Sequence, residues 1–219
     1  MSTNSNSIYL SIIGKPNSGK STLFNCFLGS NLSPVGNEYG LTKNLYKAMF
    51  NYKKQDFTIV DTPGLRRQSK VIEKNEIERN SEVLKLINDV EVIILLIDSL
   101  EDVTKQDFKL ADISINRKKI VFFLFNKIDL VNNEKNYKLK INKYFKNNYS
   151  KYNMINIDFI SAKQNFRVSK ILSKIIIKKK LARVLIQKSK LNNFIVHLDK
   201  KGNYPKIKNI SVKPKYIVQ

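Results

Sequence analysis

The chain has 219 residues, 42% hydrophobic and 10% aromatic, with 40 basic against 18 acidic side chains and a formal net charge of +22; that is enough for one α/β domain with a sizeable core plus a short extra piece. Its longest apolar runs, VIILLI and IVFFLF, fall far short of the roughly 20 residues that span a bilayer, and the polar start MSTNSNS has neither the basic nor the apolar region of a secretory signal. The single cysteine, Cys26, excludes an internal disulfide and suits a reducing compartment, so a cytoplasmic protein is expected.

Residues 1–7 are expected to be disordered, and IYLSIIG then predicts the first strand. It runs into Gly14–Ser21, GKPNSGKS, which has the spacing of a phosphate-binding loop and leads into a helix over Ser21–Leu28. Gly14 and Gly19 let the backbone curl so that successive N–H groups, through Asn17 and Ser18, face the phosphates, and the helix N-terminus adds its dipole. Lys20 is placed to reach the β and γ phosphates, and Ser21 to hold Mg²⁺. Two strands follow, LYKAMFNY and DFTIVD, split by KKQ as a hairpin that gives one antiparallel edge. The second ends in Asp61–Gly64, DTPG, where a carboxylate can hold Mg²⁺ through water and the Gly64 N–H can sense a γ-phosphate.

A helix over Glu76–Ile87, a strand VEVIILLID, a helix over Lys105–Ile115 and a strand KIVFFLFN come next. Asn126–Asp129, NKID, ends that last strand. Asp129 can accept from both the ring N–H and the exocyclic amine of guanine, a pair adenine lacks, while the Lys127 stem covers the base. A helix over Lys135–Tyr149 and the strand INIDFIS lead to Ser161–Lys163, SAK, where a backbone N–H can meet the guanine O6; a helix over Phe166–Lys180 closes the pattern. Alternating strands and helices predict a mostly parallel six-stranded sheet with helices on both faces, the P-loop NTPase arrangement, over residues 8–180. All four motifs fall at C-terminal strand ends, where such sheets bind ligands.

After Lys180 the texture changes. QKSKLNNFIVHL predicts a helix with Leu191, Phe194, Ile195 and Leu198 at helical spacing, KKGNYPKIKN a turn-rich link and ISVKPKYIVQ a strand. Charge divides with the chain: residues 1–116 hold 14 basic and 14 acidic side chains, residues 117–219 hold 26 and 4, so the second half carries the whole excess. Drift in base composition explains Lys in place of Arg but does not strip acids from one half only. The asymmetry points to a polyanionic partner.

GKPNSGKSTLFN, DTPGLRRQSKV, IDSLEDVTKQDFKLAD and NKIDLV resemble the second GTPase domain of the Der (EngA) family, and the resemblance covers nearly the whole chain. It implies binding of GTP and GDP, with Thr22 beside the phosphates and Asn126, Ser161, Ala162 and Lys163 around the base. It also implies that Thr42 of YGLTKN takes the switch I position on Mg²⁺. Here Leu41 replaces a Thr, Lys43 an Arg, and Ser18 stands where Val is usual. Leu65 stands where many GTPases carry a water-orienting Gln. In potassium-activated relatives an Asn of the phosphate loop holds K⁺ against the phosphates, and Asn17 occupies that position. A monomer is expected, and the resemblance further implies that it hydrolyses GTP as a switch in large ribosomal subunit assembly, with ribosomal RNA or the subunit as partner. Residues 181–219 resemble a linker and the opening of that family's KH-like domain, which makes a fragment or a reduced gene the expectation. A nucleotide-gated RNA-binding module with little hydrolysis, or a degenerate remnant, are the alternatives.

Overall fold

The computed structural model describes residues 7–29, 46–61, 76–182, 188–201, 206–207 and 210–211. Strands β1 (Ile8–Ile13), β2 (Tyr46–Tyr52), β3 (Gln55–Asp61), β4 (Val92–Asp98), β5 (Ile120–Asn126) and β6 (Ile155–Phe159) form one sheet in the order β2-β3-β1-β4-β5-β6. Every pairing is parallel except β2 with β3. Because parallel strands are covered on both faces, their sequences are continuously apolar rather than alternating; all seven residues of β4 are buried.

Helices α1 (Lys20–Gly29) and α5 (Val168–Ala182) cover one face. There Leu23, Phe27, Ile171 and Ile175 pack on Leu10, Ile94, Phe122 and Leu124. Helices α2 (Glu76–Asp89), α3 (Lys105–Asn116) and α4 (Glu134–Asn148) cover the other, where Ile87, Ala111 and Phe145 meet Ile93, Leu95, Phe123 and Phe125. The two sets alternate residue by residue along β4 and β5, as the pleat requires. Phe145 stands edge-on against Phe123 at 4.8 Å and seats α4 on the sheet.

The β2–β3 hairpin turns on Lys53 and Lys54, with φ of 49° and 63°. Two consecutive positive φ values between the paired residues Tyr52 and Gln55 fit a type I′ turn, whose twist matches the strands. Several predicted boundaries shift by one or two residues. INIDFIS leaves the sheet after Phe159, since Ser161 instead bridges to Phe166, and α5 accordingly starts at Val168 rather than Phe166.

The chain divides into two compact units, residues 1–178 and 179–219. In the second, helix α6 (Lys188–Lys201) appears where the apolar spacing predicts it. The expected turn-rich link instead holds a short strand, β7 (Lys206–Ile207), paired antiparallel with β8 (Ile210–Ser211). No helix among the described residues is long and apolar enough to cross a membrane.

Candidate functional site

The sheet order reverses at β1, which lies between β3 and β4, and a crevice at the strands' C-terminal ends is the consequence. The loop Gly14–Gly19 fills it. A Cβ on Gly14 would lie 2.4 Å from the Leu96 carbonyl oxygen of β4, so only glycine lets the loop leave β1 against its neighbour. Asn17 is left-handed at φ 63°, and Gly19 at φ 95°. A side chain on Gly19 would meet Asn126 Nδ2 at 2.2 Å, which makes glycine doubly necessary there. Lys20 opens α1, and its ammonium donates to the carbonyls of Gly14 at 2.9 Å and Lys15 at 2.6 Å. A full positive charge therefore sits inside the curl, at the positive end of the helix dipole. Ser21 follows half-buried, and Thr22 is exposed on the same turn. Ser18 is buried and its hydroxyl has no hydrogen-bond partner among the described residues.

The second half of the crevice is built by β5 and β6. Asn126 is 2% exposed; its Nδ2 donates to the Ser18 carbonyl at 2.8 Å and its Oδ1 accepts from the Ala162 N–H at 2.9 Å. One amide thus ties the phosphate loop to the SAK loop. Lys127 turns left-handed at φ 62°, and its ammonium pairs with Asp98 of β4 at 2.6 Å. Asp98 also accepts the Leu100 N–H at 3.0 Å, so it is fixed before it fixes Lys127. Asp129 then stands exposed in the 3-10 turn Ile128–Leu130. Just past the next strand Ser161 is buried, its hydroxyl accepting from the Gln164 N–H at 3.2 Å, while Lys163 is exposed. Ala162 is held twice, because the Cys26 thiol of α1 donates to its carbonyl at 3.0 Å. Burial pushes that thiol's pKa above its ordinary value and keeps it a donor.

A curled loop rich in N–H donors, an enclosed ammonium and a helix N-terminus match a chain of phosphates. An exposed carboxylate beside a rigid loop at the neighbouring strand ends matches a base with two adjacent donors. Residues 9–127 match the family described as 50S ribosome-binding GTPase. The chain belongs to this family. Within this GTPase family the chain is 36% identical over 169 residues to GTPase Der of Thermosipho melanesiensis, covering 77% of this chain and 39% of that protein. It is 40% identical over 130 residues to GTPase Der of Borreliella burgdorferi, covering 59% and 30%. The resemblance to Der read from the motifs holds, although the chain spans well under half the length of these curated relatives. In fold it is similar to Era in complex with MgGDPNP and nucleotides 1506–1542 of 16S ribosomal RNA, at TM-score 0.56 and 25% identity over 78% of this chain and 56% of that one.

The fold brings Gly14, Asn17, Ser18, Gly19, Lys20 and Ser21 to one rim of the crevice and Asn126, Lys127, Asp129 and Ser161–Lys163 to the other. Asp61 closes β3 opposite Tyr46. Thr42, Gly64, Leu65, Arg66 and Arg67 lie outside the described residues. Two site residues were given no role by the motifs. Asp98 falls within IDSLEDVTKQDFKLAD, and Cys26 follows GKPNSGKSTLFN directly; Cys26 packs on the core and also carries the bond to Ala162. Only the strand order, with β4 beside β5 and α1 beside the SAK loop, reveals their partners.

Proposed function

We propose that this chain binds GTP and hydrolyses it to GDP and phosphate, serving as a switch in the assembly of the large ribosomal subunit. Asn126, which ties Ser18 to Ala162, is the observation that carries the reading, since it makes phosphate and base recognition one rigid device. Gly14, Asn17, Ser18, Gly19, Lys20 and Thr22 contact the phosphates, and Gly64 senses the γ group. Asp129 accepts from the guanine ring N–H and amine, Lys127 covers the ring and Ser161–Lys163 face its carbonyl edge. Ser21, Thr42 and Asp61 offer oxygen donors of the kind Mg²⁺ prefers; when bound, the ion neutralises charge on the β and γ phosphates. Lys20 stabilises charge on the transferred phosphoryl group.

Leu65 cannot align the attacking water, so turnover rests on a cis cation or a partner. Asn17, left-handed at the loop's apex, is the residue we assign to K⁺; hydrolysis faster in KCl than in NaCl is the expected result. The ribosomal role draws on the family description and on the basic second half. Cytoplasmic placement and a monomeric state complete the reading.

Asp129→Asn tests the base assignment. The carboxylate's two charge-assisted hydrogen bonds contribute about 1.5–3 kcal/mol each, so GDP affinity should fall at least about tenfold and xanthosine diphosphate should bind better than to the wild type. Unchanged GDP affinity would refute the assignment. A second reading, an RNA-binding module gated by nucleotide with little hydrolysis, is favoured by Leu65 alone; single-turnover hydrolysis with and without ribosomal particles separates the two.

A further inference from the structure

The basic excess of the second half is not spread evenly over the first unit. The outward face of α4 carries Lys135, Lys140, Lys143 and Lys146, all exposed, interleaved with Asn136, Leu139, Tyr144 and Asn147. At about 100° per residue the four lysines fall within one arc of roughly 140°. None has a carboxylate partner among the described residues. The helix's only acid, Glu134, is already engaged by Lys138 and Arg167, and these two cations hold its carboxyl below the ordinary carboxylate range. Base-composition drift does not account for the pattern. Helix α3, packed beside α4 on the same sheet face, mixes Lys105 and Lys109 with Asp107 and Asp112.

Two further observations give the surface a shape. Helix α4 is pinned from beneath, because Phe145 packs on Phe123 and Tyr149 donates to Asp112 at 2.9 Å, so the lysine array is presented rigidly. Beside it, the open edge of β6 floors a groove of about 460 Å³ between α4 and α5, flanked by Lys178 and by Lys174, which is paired with Asp158 of the groove, and lined by Tyr152 and Asn153. A charged ridge next to a groove with an aromatic ring and an amide is the combination that tracks a single-stranded backbone and accepts its bases.

We propose that the α4 face and the adjoining β6 groove form an RNA-docking surface on the GTPase domain itself, with the lysines on consecutive phosphates of a single-stranded segment. The inference rests on the ribosomal reading above and deepens it by locating the contact on residues of the first unit that do not belong to the nucleotide crevice. An anionic membrane or an acidic protein would need no groove with an aromatic ring and an amide beside the lysines.

The test measures binding of a fluorescent single-stranded RNA to the full 219-residue chain as a function of salt. Gln has nearly the helix propensity of Lys, so the quadruple variant Lys135→Gln, Lys140→Gln, Lys143→Gln, Lys146→Gln is expected to keep wild-type GDP affinity. Should it not, the double variant Lys140→Gln, Lys143→Gln carries the measurement. Taking one lysine off its phosphate lowers the salt slope of single-strand binding by about 0.7, so removing all four should lower it by about 3 and weaken binding at about 0.1 M salt at least tenfold. The control pair Lys105→Gln, Lys109→Gln on α3 should change RNA affinity less than about twofold.

Wild-type affinity in the lysine variants, or an equal loss per charge in the control pair, overturns the surface while leaving RNA binding by the chain intact. Loss of binding to phosphatidylglycerol vesicles with RNA binding unchanged overturns it in favour of a membrane. A wild-type chain that binds GDP but no RNA at low salt overturns the ribosomal-RNA reading itself.

Discussion

Removing the Asn126 side chain should uncouple the two halves of the nucleotide crevice. Asn126→Ala deletes the donor to the Ser18 carbonyl at 2.8 Å and the acceptor for the Ala162 N–H at 2.9 Å, at a residue 2% exposed. Water does not readily replace either partner, and a buried group left unpaired costs about 1–3 kcal/mol. Two such groups give about 2–6 kcal/mol, which at about 2–4 °C per kcal/mol for a chain of this size lowers the thermal midpoint by roughly 10 °C. GDP affinity should fall more than tenfold, because the loops the nucleotide bridges would no longer be held in register. Asn126→Asp is the sharper variant: it keeps the acceptor for Ala162 but sets a carboxylate oxygen against the Ser18 carbonyl, so it should be at least as damaging as Ala. The assay is thermal denaturation with and without GDP, beside direct GDP titration. A loss below about 1 kcal/mol with GDP affinity intact, or a benign Asp variant, would refute the coupling.

Ser18→Val places an apolar side chain where the hydroxyl is buried without a partner among the described residues, and should stabilise the chain by about 1 kcal/mol in chemical denaturation; destabilisation would mean the hydroxyl has a bond to make. Cys26→Ala removes the donor to Ala162 and should weaken GDP binding a few-fold, with Cys26→Ser recovering most of it, since one neutral hydrogen bond contributes about 0.5–1.5 kcal/mol; equal behaviour of the two variants would exclude the bond. The thiol's pKa is raised from 9.0 by burial, so its contribution is fully present below that value and is lost as pH rises through the raised one. The gap between wild type and Cys26→Ala should therefore close in alkali, and a gap that widens there would contradict the donor role.

Much of this fold was legible in advance because its strands are buried on both faces and therefore apolar end to end, as in β4 and β5. Boundaries were harder where local pattern and pairing disagree. In INIDFIS the apolar rhythm continues past Phe159, but Ser161 turns away to bridge Phe166, a choice made by the SAK loop and invisible to periodicity. The two-residue strand β7 sits inside a stretch whose Gly, Asn and Pro read as turn, and only its partner β8 reveals it. The site divides in the same way: glycine spacing located the phosphate loop, whereas the pairing of Lys127 with Asp98 and of Cys26 with Ala162 crosses 29 and 136 residues of sequence.

The sequence by itself determined the chemistry available: glycines for a curled loop, Lys20 and Asp129 for the proposed phosphate and base contacts, and a second half almost without acids. Those properties belong to residue types and short spacings, which survive any arrangement of the chain. Tertiary structure alone decided what those residues hold. Gly14 must be glycine because β4 runs beside β1, Asn126 became a buried clamp because β5 ends over the phosphate loop, and the lysines of α4 became one ridge because Phe145 fixes which side of the helix faces out. Each of these depends on strand order and helix rotation, which are set by long-range burial and not by local sequence.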